Sequence, residues 1–450
     1  MNIREQTAEV PERKRAWKWA CATPLIAIVA ALIPVIFNHR FYFYDDTQIG
    51  AYPIWVEIGK LLRAGDWPIF SAAGWQAGNY AAEGQWGIFS PVTLLIGLAA
   101  SFAGNAIIFS TAVKIGFLAL ASIGVYLLSR SFRAVPPLAF VAGVTSTLAG
   151  FTVYLDAPSW VTGLMVWAFL PFVWWGLRRM AFDRKSPLPV LVSGYLLVTV
   201  GYVHGTIMMV LVFIAFIAEV LIRRHWKALR QTLASGVVLG LVALAVYLPG
   251  VLTLASTARK TGISNTNFLT VDLTGLAGSA LPSNLPQVAS WWWGPFAPVP
   301  LTYIAWFLPL FAIINFHKLR RLTPPMASLP VFLVFSLVLT LAPSDMGPLR
   351  TPVRLMPYVA LTVIVLICVA LSVARLKAIS RTRWLAVGGL FLASVYLGWT
   401  GKPEMWTISA RMFLIMAAGF AVIVLVFWKV DRARRAEGVF AGILVATSLA

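Results

Sequence analysis

The chain has 450 residues, of which 60% are hydrophobic and 12% charged, with a mean hydropathy of +0.82. A soluble domain carries about 25% charged residues, so this composition excludes a globular protein surrounded by water. The net charge of +20 would suit a nucleic-acid partner, but the basic residues fall in short clusters between apolar runs, which is the positive-inside signature of a membrane protein.

The first apolar run, from about Trp19 to Phe37, follows Arg13, Lys14, Arg15 and Lys18. It is longer than a signal peptide's apolar region and no small-residue cleavage site follows, so it reads as a retained first helix leading outward from a cytoplasmic N-terminus. A long outside loop, about 38–87, comes next, then a short apolar piece from Ser90 to Ser101 that is too short to cross. The piece is expected to be re-entrant or interfacial. A span over about Asn105–Leu128 returns to Arg130 and Arg133.

From there each hairpin keeps the alternation. Arg178, Arg179, Arg184 and Lys185 fall on the cytoplasmic side, as do Arg223, Arg224, Lys227 and Arg230. Lys318, Arg320 and Arg321 follow, then Arg375, Lys377, Arg381 and Arg383, and last Lys429, Arg432, Arg434 and Arg435. Acidic residues mostly take the opposite side: Asp45, Asp46, Glu57, Asp66, Glu83, Asp156, Asp272, Asp345 and Glu404. A second long outside loop runs over about 253–298, and the last apolar run, Val439–Ala450, ends before a full span is complete. Cys21 and Cys368 both lie in apolar runs and read as small core residues. The expected fold is an all-α polytopic membrane protein with about 11–13 transmembrane helices. It forms a single transmembrane domain over 1–450 with no separate soluble domain.

The first outside loop carries the most chemistry. Asp45 and Asp46 stand just beyond helix one. Adjacent carboxylates there can divide two jobs, one taking a proton from an attacking hydroxyl and the other holding a cation or the acceptor. A solvated helix end would look the same. Ile54, Ile58, Leu61 and Leu62 share one face of a helix, which suits a helix lying along the membrane surface. Trp67, Phe70, Trp75, Tyr80 and Trp86 then alternate with Gln76, Asn79 and Gln85. Aromatic faces beside amides suit sugar rings, and equally suit an aromatic belt at the headgroups.

Asp45 to Gln48, the segment Leu61-Leu62-Arg63-Ala64-Gly65-Asp66-Trp67-Pro68 and the ending Phe89-Ser90-Pro91 resemble the YfhO-like bacterial membrane proteins of the GT-C glycosyltransferase superfamily. So does Arg350-Thr351-Pro352-Val353-Arg354 before a later span. The resemblance is spread over roughly residues 40–360. It implies a GT-C-like fold whose first extracytoplasmic loop carries surface helices. It also implies transfer of a sugar from a polyprenyl-phosphate carrier at the outer face of the plasma (inner) membrane, with a glycan or lipid acceptor. Asp45 or Asp46 would match the acidic catalytic position; the doubled aspartate leaves open which.

Further candidates come from charge in costly places. Arg350 and Arg354, four apart, would share one face if helical, and two guanidiniums make a phosphate clamp. Lys114 sits roughly ten residues from either end of its span, where an ionisable group normally faces a cavity or a partner; it could meet the donor phosphate or serve structure. Gln48, Glu83, Trp75, Trp86, His204 and Asp156 are candidate substrate contacts, with Asp156 also a candidate N-cap before Trp160. Lys260, Asn265 and Asn267 begin the second loop, and Trp291-Trp292-Trp293, near its end, suits an interface anchor.

There is no phosphate-loop GxxxxGK[ST], no Cys/His metal spacing and no GxSxG, so the energy for any transfer would arrive attached to the substrate. The leading expectation is therefore a membrane glycosyltransferase, with magnesium or manganese a possible helper. The other expectations are a flippase or transporter of a lipid-linked glycan, and a non-catalytic subunit of an envelope-assembly complex.

Overall fold

Hydrocarbon offers the backbone no hydrogen-bond partner, so a chain this apolar must satisfy its peptide groups internally. The computed structural model of the protein describes residues 3–72, 74, 78–256, 268–286, 299–344, 346, 349–376, 378–429 and 433–449. Trp75, Gln76, Lys260, Asn265, Asn267, Trp291, Trp292, Trp293, Asp345, Lys377 and Arg432 lie outside the described residues. Among the described residues there is no strand beyond isolated bridges; the rest is helix and turn.

The helices are α1 (Ile3–Phe37), α2 (Tyr52–Ala64), α3 (Tyr80–Glu83), α4 (Pro91–Ala100), α5 (Ala106–Ser131), α6 (Pro136–Thr147) and α7 (Val161–Phe182). They continue with α8 (Leu188–Thr199), α9 (Val203–Ile222), α10 (Trp226–Leu252), α11 (Leu273–Ala277), α12 (Phe316–Leu322), α13 (Ser328–Thr340), α14 (Met356–Val373), α15 (Arg381–Gly401), α16 (Trp406–Lys429) and α17 (Ala433–Leu449). Among the described residues, eight segments are long and apolar enough to cross a membrane, and α8 and α13 are shorter apolar helices. The fold is thus the expected polytopic all-helical one. α7 and α14 are its centre, with 83% and 78% of their apolar windows buried, against 11% for α10 on the rim.

Residues 299–314 run through the interior without α-helix, in turns and a 3₁₀ helix at Leu308–Ile313, their backbone bonded to protein. Gly150 N–H donates to Tyr303 O (2.9 Å), Ile304 N–H to Ser279 O (2.8 Å) and Leu376 N–H to Ile313 O (3.2 Å). Tyr303, Ile304, Trp306 and Phe307 are buried. Irregular backbone of this kind is tolerated at membrane depth only inside protein.

One end of the bundle gathers basic residues. Arg178 Nη1 lies 2.6 Å from Glu219 Oε1, and Arg178 Nη2 donates to Ser131 O (3.3 Å). The other oxygen of Glu219 accepts from Ser328 N–H (3.1 Å) and Ser328 Oγ (2.5 Å). Arg178 also stacks on Phe132 and Arg223 on Phe182. The bends after α5, α7 and α9 therefore meet at one end, as the charge alternation requires.

At the other end lies the first loop. Pro53 stands in the first turn of α2, and Gly65 (φ 85°) ends it in the left-handed conformation open to glycine. The buried face of α2 is Trp55, Ile58 and Gly59, so the stripe expected from Ile54, Ile58, Leu61 and Leu62 is turned. The reason is α4, the short apolar piece, which packs across α2 at Gly59 and Gly97. A Cβ on Gly59 would come within 2.1 Å of Gly97 O. Only two glycines let the backbones approach so closely. Gly59→Leu is expected to cost about 1–3 kcal/mol through overpacking and to free α4 from α2, detected as new protease sensitivity in 91–101.

Candidate functional site

Two π-turns frame the opposite end of the bundle, Thr47–Ala51 in the first loop and Thr152–Asp156 ahead of α7. Asp46 immediately precedes the first and Asp156 closes the second. Such turns wind the chain by one extra residue, re-aiming the side chains beside them, and they concentrate at functional sites.

The two loops meet at Trp160. Its indole N–H donates to Asp46 Oδ2 at 2.9 Å, and the Arg354 guanidinium lies over its ring at 3.9 Å from the centroid. Asp46 and Arg354, 308 residues apart in number, are thereby held on one indole. Burial and the neighbouring Asp45 carboxylate push the Asp46 carboxyl up from its ordinary range, while the Trp160 N–H and Arg354 pull it back. Both aspartates expose surface to solvent, and Asp45 takes a left-handed backbone (φ 50°). Of the pair, Asp46 is the one bonded to Trp160.

Asp156 is buried (4% exposed). Burial raises its carboxyl well above the usual range, with Arg354 opposing. The N-cap of α7 is Trp160, without a side-chain cap bond, so Asp156 does not cap the helix as expected. Its carboxylate instead rests on the first turn, where a Cβ on Gly163 would come within 2.6 Å of Oδ1.

His204 is buried, and its Nε2–H donates to Arg350 O at 3.2 Å. Its ring stacks on Tyr202, centroids 5.0 Å apart. Burial pushes the Tyr202 phenol up to about 12, and the hydrogen-bonded Arg354 guanidinium works against that. Two buried nitrogens here, His204 Nδ1 and Arg354 Nε, have no hydrogen-bond partner. Such orphaned groups are costly unless water or a ligand completes them.

The expected one-face arginine pair is not helical. Thr351 is left-handed (φ 60°), Pro352–Leu355 is a 3₁₀ turn, and α14 begins only at Met356. A left-handed residue between them breaks the one-turn relation that a continuous helix would give. Arg354 reaches Trp160, while the backbone of Arg350 anchors His204.

Lys114 is fully buried. Its ammonium donates to Tyr42 O (2.7 Å), Thr47 Oγ1 (2.5 Å) and Pro158 O (2.8 Å). These protein acceptors take all three of its N–H groups, so phosphate binding would need to break this set. Gln48 accepts from Arg40 at 3.2 Å. Glu83 accepts from the Trp86 indole at 2.7 Å, and Trp86 reaches to 3.8 Å from where a Gly50 Cβ would stand. Gly84 packs on Gly201 so tightly that a Cβ there would overlap its carbonyl, bringing the end of the first loop against the Tyr202–His204 turn. Trp75 lies outside the described residues. Among the described residues no three His, Cys, Asp or Glu side chains come together as a metal site.

No family model matches the chain, and no curated protein matches it in sequence. In three dimensions it is similar to the crystal structure of ArnT from Cupriavidus metallidurans in the apo state. The TM-score is 0.51 at 13% identity, over 94% of this chain and 75% of that one. The two chains share a fold. At 13% identity the likeness to ArnT is one of architecture.

Trp160 and Tyr202 carry little signal in the sequence. Their only sequence signal was position, one four residues after an acidic group and the other two before a buried histidine. Glu219 gave a clearer one, a carboxylate inside an apolar span.

Proposed function

We propose that the protein is a membrane glycosyltransferase that moves a sugar from a polyprenyl-phosphate carrier to a glycan or lipid acceptor of the cell envelope. The site faces the outside of the plasma (inner) membrane, with the N-terminus in the cytoplasm. The observation that carries the reading is the convergence of Asp46 and Arg354 on Trp160, a base and a phosphate-binding cation fixed to one rigid plane. The GT-C-like fold and the resemblance of the first loop to YfhO-like proteins support it.

In this reading Asp46 takes the proton of an acceptor hydroxyl, whose oxygen attacks the anomeric carbon. The bond from that carbon to the phosphate oxygen breaks, and the lipid phosphate leaves with its charge held by Arg354. Arg350, Glu83, Trp86, Gln48, His204 and Asp156 are assigned to donor and acceptor contacts. A magnesium or manganese ion, an accessory in this proposal, would be held by Asp45 and would supply a second positive charge for the phosphate.

The test is transfer of radiolabelled sugar from synthetic polyprenyl-phosphate sugars in proteoliposomes, comparing the native protein with Asp46→Asn. Loss of transfer with donor binding retained supports the reading, and full activity in the variant removes it. Arg354→Lys keeps the charge but loses the planar stack on Trp160. It is expected to lower transfer by about 2- to 30-fold, the equivalent of one cation–π contact of roughly 0.5–2 kcal/mol, read as a higher donor KM.

A further inference from the structure

We propose that Lys114 is a positioning residue, the strut that holds the two halves of the site in register from beneath. Its three contacts are divided between two segments that the sequence keeps far apart: Tyr42 O and Thr47 Oγ1 on the first loop, and Pro158 O on the turn before α7. Thr47 closes the knot, because its hydroxyl donates to Pro158 O at 2.7 Å and lies 3.1 Å from Ser159 O. A hydroxyl that gives its proton to Pro158 can only accept from Lys114. Lys114 therefore faces three acceptors and needs three N–H groups, which only the ammonium form supplies.

The knot stands directly under the site. Asp46 precedes Thr47 and Trp160 follows Ser159, so the Asp46–Trp160 hydrogen bond sits one residue from the knot in both segments. Tyr42 adds a further tie, its hydroxyl donating to Ala31 O on α1 at 2.9 Å. A buried ammonium costs several kcal/mol unless it is fully hydrogen-bonded. A methionine would fill the same space without that cost. What the ammonium supplies and methionine cannot is one point bonded to both loops at once.

The consequence for Asp46 as a base rests on the transferase reading, whereas the knot itself does not. The test is amide hydrogen exchange followed by mass spectrometry on Lys114→Met and Thr47→Val in lipid nanodiscs, with 203–222 as an internal reference. In Lys114→Met both 42–52 and 156–163 are expected to exchange roughly tenfold faster or more, the scale of a lost hydrogen bond to a charged group. In Thr47→Val the same two segments loosen by a smaller factor, and the reference stays unchanged in both. If transfer is measurable, Lys114→Met lowers kcat and leaves donor KM in place, as expected when a base is displaced and the donor site is intact.

Unchanged exchange in both segments, or a change in only one, overturns the proposal. If Lys114→Met loosens the reference as well, the Thr47→Val result decides, and equal loosening of reference and loops there reduces Lys114 to a packing residue. Failure of the transfer assay with the exchange pattern intact would count against the transferase reading and leave the strut standing.

Discussion

Asp46→Asn is expected to lower sugar transfer by about 10²- to 10⁴-fold, the range of a removed general base, while Asp45→Asn retains most of the activity. The difference follows from placement. Asp46 bonds the Trp160 indole and feels Arg354, while Asp45 stands one residue earlier on a left-handed backbone. Asn keeps the shape and still accepts from the indole N–H, so loss of rate without loss of fold isolates the proton transfer. The pH profile carries a second signature. Burial raises the Asp46 carboxyl above 3.8, and a base works only when deprotonated, so the rate should rise with pH along a limb whose midpoint lies above that value. Initial rates across pH 4–8 in proteoliposomes would show it. A flat profile, or equal loss in both single variants, would assign the aspartates to a shared cation instead.

The largest stability effect is expected at the opposite end of the bundle. Glu219→Ala should destabilise the fold by about 3–5 kcal/mol, the cost of leaving one partner of a buried ion pair uncompensated. Arg178 loses its charge partner at 2.6 Å, and Ser328 loses the acceptor for both its backbone N–H and its hydroxyl. Four elements, α5, α7, α9 and α13, are joined at this one carboxylate through Ser131, Arg178, Glu219 and Ser328. A fall in the thermal midpoint in detergent, rescued in part by the double change Glu219→Met with Arg178→Met, would confirm that the unpaired charge carries the penalty. Apolar side chains of similar volume often replace a buried pair with little loss. A single variant as stable as the native protein would mean that water reaches Arg178.

Much of the architecture was legible in residue order because it depends on local quantities. Apolar length settles which segments can cross, so α1, α5, α7, α9 and α14 could be read directly, and the basic clusters marked the bends that the structure gathers at one end. The acidic pair after the first helix was equally visible, being two charges at a boundary. The turned face of α2 was not, because the close contact between Gly59 and Gly97 comes from a partner helix. Nor was the break at Thr351, where one left-handed residue cancels the helical spacing of Arg350 and Arg354.

Lys114 shows where the division falls. Sequence alone established that an ionisable group stood deep in an apolar span and therefore needed a partner. It could not say whether that partner was a donor phosphate or the protein. Only tertiary structure decided, by folding the first loop and the turn before α7 over the same ammonium, and by setting Trp160 between Asp46 and Arg354. Hydrophobic length and charge are properties of a segment, whereas a site is a property of distances between segments, and those arise only when helices pack.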